Sequence, residues 1–477
     1  MKSLVSMRNF LFSGFILLAL LVLQACKDND PAEASKAYVN RWIYDNMEFW
    51  YYWNAQIPAN PNRNLDPPDF FESLLSSEDR FSWIQDDYEE LIKSLQGITK
   101  EAGYEYKLYR KQGTNDVFMQ VMYVKPGSPA SMVDLLRGDI IEKINGTQLT
   151  LNNYRSVLQQ LGENHTIAYK RHNGTSFQDK GNLSLTTVEF SENPNFFHTV
   201  YTIESKKIGY YIYNFFANGP SGTSQSFNNE MDQVFNTFKS EGVSDLIIDL
   251  RFNSGGSESA TINLASLIGK NVDTNSIFTK REYNDQVEDA IIKEPSLGPG
   301  FLVSKFISKP QNIGAQLAKV YVLTGSRTAS ASELLINGLK PFMEVKIVGD
   351  TTVGKNMGSI TITDDNNRKN KWGMQPIVVR SYNSLDQSDY STGFKPDIAD
   401  KDNELVLLPL GDINERLLNL ALEDIVGGSV GGRNSRMGSA KLPSPIFYSI
   451  DVKARQRLIR EGNDERLLQL FKPLQEY

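Results

Sequence analysis

Cysteine is almost absent from this 477-residue chain, which has only Cys26. A single thiol excludes an intramolecular disulfide, a two-cysteine redox centre and a cysteine-built zinc site. Histidine is nearly as scarce: His165, His172 and His198 are the only three, so nothing beyond residue 198 can supply an imidazole. Positive charge is not in excess either. The formal net charge of −7 excludes the basic footprint of a nucleic-acid binder. Nor is there an unbroken apolar run of the roughly 20 residues that a membrane-spanning helix needs.

What apolar run there is lies at the start. Phe10 to Leu23 is 14 residues long and follows Lys2 and Arg8, the length and flank of a signal-peptide core. It ends in Leu23-Gln24-Ala25-Cys26, which resembles a bacterial lipobox, where the cysteine is acylated and becomes the new N-terminus. Residues 1–26 are therefore expected to be a lipoprotein signal peptide with lipidation at Cys26, anchoring the protein without a span. The following Lys27-Asp28-Asn29-Asp30 resembles export signals of surface lipoproteins in some Gram-negative bacteria. The expected location is the bacterial cell envelope, on the periplasmic face or the outer surface of the outer membrane.

Hydrophobic residues make up 40% of the chain and charged residues 22%, so most of it should be globular, and its length implies several domains. Residues 27–37 read as a tether. Residues 38–94 read as a helical domain rich in aromatics (Trp42, Phe49, Trp50, Tyr51, Tyr52, Trp53), broken by the stretch from Pro58 to Pro68. Those aromatics are expected in a core rather than a ligand cage. Alternation in Val117 to Val121 announces strands over 95–190. Residues 200–425 alternate strands and helices, which implies an α/β fold with a largely parallel sheet. Helices are expected over Ser224 to Lys239, Ser257 to Ile268 and Ser330 to Leu339. The segment 270–317 breaks this rhythm and has no assignment. Residues 426–477 read as a Gly-Ser-Arg linker, 427–439, and a helical tail.

The missing histidines constrain the chemistry. A cysteine nucleophile is excluded with Cys26, and a triad in the α/β half would have to borrow His165 or His198 from elsewhere. A serine nucleophile there needs a lysine as base, a known variant of triad logic. Thr324 to Glu333 leads from a strand into a helix through small residues, with Ser330 at the helix N-terminus, where free N–H groups favour developing negative charge. The same pattern also serves a plain helix cap by Ser330 or Ser332. Lys355 stands in Gly354-Lys355, after the strand Val345 to Val348, where a lone lysine is usually solvated.

Taken together, Thr328-Ala329-Ser330-Ala331-Ser332-Glu333 and Gly354-Lys355, 25 residues on from Ser330, resemble the tail-specific, or C-terminal-processing, serine peptidases. Asp249-Leu250-Arg251-Phe252-Asn253-Ser254-Gly255-Gly256, Thr392 to Asp397 and Asp79-Arg80-Phe81-Ser82 resemble further motifs of that family, in the same order. Gly127-Ser128-Pro129-Ala130, a short helix through Leu136, Arg137-Gly138-Asp139 and Asn145-Gly146 resemble its PDZ domain. The resemblance covers roughly 38–425. It implies a crotonase/ClpP-like βαβ peptidase core with an inserted PDZ domain and an N-terminal helical domain. It also implies Ser330 as nucleophile, Lys355 as base, and the N–H groups of Gly256 and Ala331 as oxyanion hole, with no metal or cofactor. The substrates it implies are proteins or peptides with free C-termini, their carboxylate held by the PDZ loop Gly103-Tyr104-Glu105-Tyr106. Two departures stand out. Glu105 makes that loop less apolar than usual, and Ser359 replaces the family's glutamine four residues after the lysine, leaving Ser359 as the candidate for orienting the amine. The second departure supports an alternative, a catalytically weak scaffold that binds peptide tails or apolar ligands.

Overall fold

The computed structural model describes residues 34–431 and 440–454, except 96, 222, 365 and 366, together with 467, 468, 470 and 471. Cys26, residues 432–439 of the expected linker and most of the expected helical tail lie outside the described residues. Among the described residues, no helix is long and apolar enough to cross a membrane.

Helix α1 (Lys36–Trp50) starts where Ser35 Oγ accepts the Tyr38 N–H, and α2 (Pro67–Ser73) starts on prolines suited to a first turn. The aromatic residues of this region are core, as expected, but the core is not their own. Trp42, Trp50, Tyr51, Phe70 and Phe71 form one buried cluster with Tyr283, Val287, Ile360, Met374 and Val379 from the α/β half. Strand β1 (Trp83–Gln85) also pairs antiparallel with residues 373–375. The expected helical domain is therefore one wall of the α/β half.

After α3 (Tyr88–Leu95) and β2 (Ile98–Glu101), the PDZ-like sheet is built from β3 (Tyr104–Arg110), β4 (Val117–Val124), β5 (Ile140–Ile144), β6 (Thr147–Gln148), β7 (His165–His172) and β8 (Phe177–Leu185). Helix α4 (Tyr154–Leu158) covers one side, and β9 (Val188–Ser191) pairs back onto β2. Ser128 caps a single 3₁₀ turn over Pro129–Met132, so the helix expected through Leu136 is shorter. Asp139 ends that segment by accepting the Leu136 N–H and pairing with Arg171.

The α/β half holds β10 (Asn195–Ile203), β11 (Lys206–Tyr213), α5 (Ser226–Glu241), β12 (Asp245–Asp249) and α6 (Glu258–Ile268). The unassigned segment supplies β13 (Ile277–Tyr283), α7 (Asp285–Lys293) and β14 (Val303–Lys305). Then follow β15 (Lys319–Thr324), α8 (Ala331–Leu339), β16 (Glu344–Gly349), β17 (Met357–Ser359), β18 (Ile362–Thr363), β19 (Gly373–Gln375), β20 (Ile377–Tyr382), β21 (Ile398–Ala399) and α9 (Arg416–Val426). The main sheet runs β10-β11-β12-β15-β16-β21, parallel from β11 onward. Strict alternation splits its strands between two cores. Tyr211, Ile248 and Val322 pack under α5, α6 and α8, whereas Tyr210, Ile247 and Tyr321 pack under α9. Strands β13 and β14 join β20 and β17 in a second sheet, β14-β13-β20-β17, against which α1 rests. The tail returns as β22 (Phe447–Tyr448), which pairs antiparallel with β3, followed by α10 (Ser449–Ala454).

Candidate active site

Three loops leave the carboxyl ends of the adjacent parallel strands β12, β15 and β16, the edge where open α/β sheets place their ligands. They carry the Gly-Gly motif, Ser330 and Lys355.

The loop after β12 is fixed from below. Asp249 accepts the Tyr210 hydroxyl at 2.7 Å and pairs with Arg251, whose guanidinium forks onto Glu415 at 2.5 and 2.9 Å. Asn253 then turns the chain, accepting the Gly255 N–H and donating to Tyr213 O. Gly255 and Gly256 have φ of +112° and +137°, conformations that side chains rarely adopt. A Cβ at 255 would lie 2.7 Å from Ser330 Cβ, and one at 256 would lie 2.1 Å from Phe216 O. Gly255 therefore sits directly against the serine, and Gly256 against the Phe216 backbone.

Ser330 itself has φ +57°, ψ −115°, an unfavourable conformation for a non-glycine residue and of the kind that collects at functional sites. Thr328 braces the turn by donating to Leu250 O and accepting the Gly325 N–H. Helix α8 starts at Ala331. Ser330 does not cap it: its hydroxyl is buried and makes no hydrogen bond among the described residues, and Ser332 donates to Asn253 O. The N–H groups of Gly256 and Ala331 also make none among the described residues.

Lys355 is 3% exposed, and its amine has no hydrogen-bond partner among the described residues. The Phe81 ring lies 5.5 Å from Nζ. Burial pushes the amine down to about 7, partly opposed by the negative charges of Asp79 and Glu333.

Glu333 joins the two residues. Its Oε2 accepts the main-chain N–H of both Ser330 (2.9 Å) and Lys355 (2.7 Å), while Oε1 accepts the Gly354 N–H and the Thr352 hydroxyl. Both main-chain nitrogens are thus held within 3 Å of one atom. The Asp79 to Ser82 motif closes the other side. Asp79 caps the Phe81 and Ser82 N–H groups, and Arg80 clamps the carbonyls of Gly354 and Ser391. Glu333 and the Asp79 motif stand in the sequence beside the expected site residues, but no role in the site is legible for them there. The signal for Glu333 was its capping-box spacing, three residues after Ser330.

Ser359 does not orient the amine. It is buried and donates to Gln375 Oε1 on β19 at 3.0 Å. The second expected site, Gly103 to Tyr106, lines a cavity of about 650 Å³ between β3 and α4. Gly103 passes so close to Ser128 that a Cβ would lie 2.1 Å from its side chain. Glu105 is turned inward to Lys125 at 3.0 Å. The described residues hold no group of His, Cys, Asp and Glu able to bind a metal ion.

Family models match in three places: Peptidase family S41 at residues 207–399, Peptidase S41 N-terminal domain at 38–83, and PDZ domain at 120–171. A solved structure from Bacteroides fragilis, described as an S41 protease, superposes with a TM-score of 0.68 at 26% identity, covering 81% of this chain and 97% of that one. The chloroplastic C-terminal processing peptidase of Tetradesmus obliquus is 25% identical over 249 residues, 50% of this chain and 48% of its own. A Staphylococcus aureus protein described as a CtpA-like serine protease is 22% identical over 319 residues, 61% of this chain and 56% of its own. The chain spans about half the length of these curated relatives.

Proposed function

Since the chain is built from the domains of peptidase family S41, we propose that it is a serine endopeptidase that cleaves proteins or peptides through a Ser330–Lys355 dyad. The observation that carries this reading is the pair of buried, unbonded side chains, a hydroxyl and an amine, whose backbones hang from one Glu333 oxygen. Lys355 in its neutral form takes the Ser330 proton as Oγ attacks the peptide carbonyl. The N–H groups of Gly256 and Ala331 hold the oxyanion. The ammonium returns the proton to the leaving amine, and water, deprotonated by Lys355, releases the acyl group. The scaffold alternative is disfavoured, because a site without turnover has no use for a buried amine held near neutrality beside a strained serine.

A sulfonyl fluoride should label the protein at Ser330, and a peptide library should be cleaved by it but not by Ser330→Ala. Absence of both labelling and cleavage at pH 8 would refute the reading.

The PDZ groove supplies the substrate's second contact, an extended segment added along β3. The resemblance extends this to a free C-terminus held by the Gly103-Tyr104-Glu105-Tyr106 loop. In this chain that loop carries the Glu105 carboxylate, and recognition is read as that of an extended segment rather than of a terminal carboxylate.

Anchoring at Cys26 in the cell envelope is part of the same proposal, supported by the short apolar run ending in Leu-Gln-Ala-Cys. Labelled palmitate should enter the unsubstituted protein, and Cys26→Ser should move it from the membrane to the soluble fraction. A protein that stays on the membrane after this change is anchored otherwise.

A further inference from the structure

The groove between β3 and α4 already holds a strand. Phe447 and Tyr448 of β22 face Leu108 and Lys107, and the Ile446 N–H donates to Leu108 O at 2.8 Å. The antiparallel direction carries the segment toward the Gly103–Tyr106 loop, as a ligand captured at that loop must run. The Phe447 ring stacks on Tyr106 with centroids 6.2 Å apart and approaches Tyr154 of α4 at 6.5 Å, so it forms one wall of the cavity between strand and helix. At the loop, the Ser449 hydroxyl accepts the Tyr106 N–H at 2.9 Å and donates to the Glu105 carboxylate at 2.5 Å.

The charge of the loop explains why a hydroxyl stands there. Lys125 is buried with Glu101, Glu105 and Glu192 at 2.6, 3.0 and 2.9 Å, one ammonium against three carboxylates. A terminal carboxylate would bring another negative charge and no proton for Glu105. A hydroxyl accepts from Tyr106 and donates to Glu105 at once.

Beyond the groove the same segment reaches the nucleophile's loop. Arg327, three residues before Ser330, lies 5.0 Å above the Tyr448 ring, and its Nη2 donates to Asp451 at 2.9 Å. Ile450 packs with Met122, Tyr123 and Phe252 between the two parts of the molecule.

We propose that this PDZ groove binds internal, extended segments with a hydroxyl-bearing residue at the loop, and that its resident ligand is the chain's own 446–449. A substrate must displace that segment to dock, and in doing so it frees the strap that ties the PDZ domain to the Ser330 loop. The inference rests on the groove being the substrate's second contact, but its test does not need catalysis.

The test uses the full chain carrying Ser330→Ala and a fluorescent, C-terminally amidated peptide, Pro-Ser-Pro-Ile-Phe-Tyr-Ser-Ile-Asp, copied from residues 443–451. The tethered segment competes at high effective concentration, so adding Phe447→Ala should tighten peptide binding by about tenfold or more. Equal affinity with and without Phe447→Ala, or no binding to the variant, overturns the proposal. Should Phe447→Ala lose its cooperative melt, Ser449→Ala, which removes one oxygen, carries the same comparison. A shorter peptide ending at Ser449 is expected to bind better amidated than as the free acid. Tighter binding of the free acid would return the groove to carboxylate recognition. A protein that fails to label at Ser330 yet shows these affinities would refute the enzyme reading and leave the inference standing.

Discussion

Lys355→Arg abolishes acylation of Ser330, and kcat/KM of the unsubstituted protein falls about tenfold for each pH unit below the lysine's ionisation near 7. Arginine keeps a cation in the same place but cannot lose its proton near neutrality, so it separates the role of a base from that of a charge. The sign of the pH dependence follows from the burial. Desolvation disfavours the ammonium and drops the amine from 10.5 to about 7, so the competent neutral form dominates above that point and is lost below it. The same burial makes a stability statement. Between about 7 and the ordinary lysine value the unfolded chain binds the proton and the folded chain does not, so stability rises with pH across that window. Lys355→Met should therefore be inactive yet melt at a higher temperature than the unsubstituted protein at pH 6, where the buried amine must be charged. A Lys355→Arg variant that still turns over, or a flat profile between pH 6 and 8, would remove Lys355 from the base's role.

Much of this site was legible because its parts are short, local and forced by geometry. Gly255-Gly256 must be glycines where they press on Ser330 and Phe216, and small residues from Thr328 to Ala331 leave room for a strained turn. Strand–helix alternation likewise gave away the parallel sheet from residue 206 onward. What stayed hidden depended on contacts between distant segments. The first helices looked self-contained because nothing local shows that Trp50 and Phe71 pack on Tyr283 and Met374. The stretch 270–317 resisted assignment because β13 finds its sheet through β20, about a hundred residues later, and β14 joins that sheet only through β13. Ser359 looked like a stand-in for a lysine partner, since Gln375 lies on a strand that local pattern did not reveal. The tail read only as a helix behind a glycine-rich linker, although residues 447–448 add a strand to a sheet some 340 positions earlier.

Glu333 is the other residue whose replacement should nearly silence the protein. Burial of its carboxylate raises its pKa, and the four hydrogen bonds it accepts pull the other way. In Glu333→Gln one oxygen becomes an NH₂ group facing two donors, either Ser330 and Lys355 or Thr352 and Gly354. Two buried donors left unsatisfied cost about 2–6 kcal/mol of stability. Because the carboxylate sets where the nucleophile and the base stand, kcat should fall by about a hundredfold or more, with little change in KM for a long substrate. Lost packing alone could mimic that fall, so the residual activity needs a second readout. The Glu333 charge holds the Lys355 pKa up, and replacing it with a neutral amide should let that pKa drop further. The acid limb of the residual pH–rate profile should then move to lower pH in Glu333→Gln, while a variant that merely loosens the fold around Lys355 should let water in and move it higher. An acid limb that stays in place or moves up would reduce Glu333 to a structural residue, with the alignment of Ser330 and Lys355 then resting on the Arg80 clamp and the loop after β12.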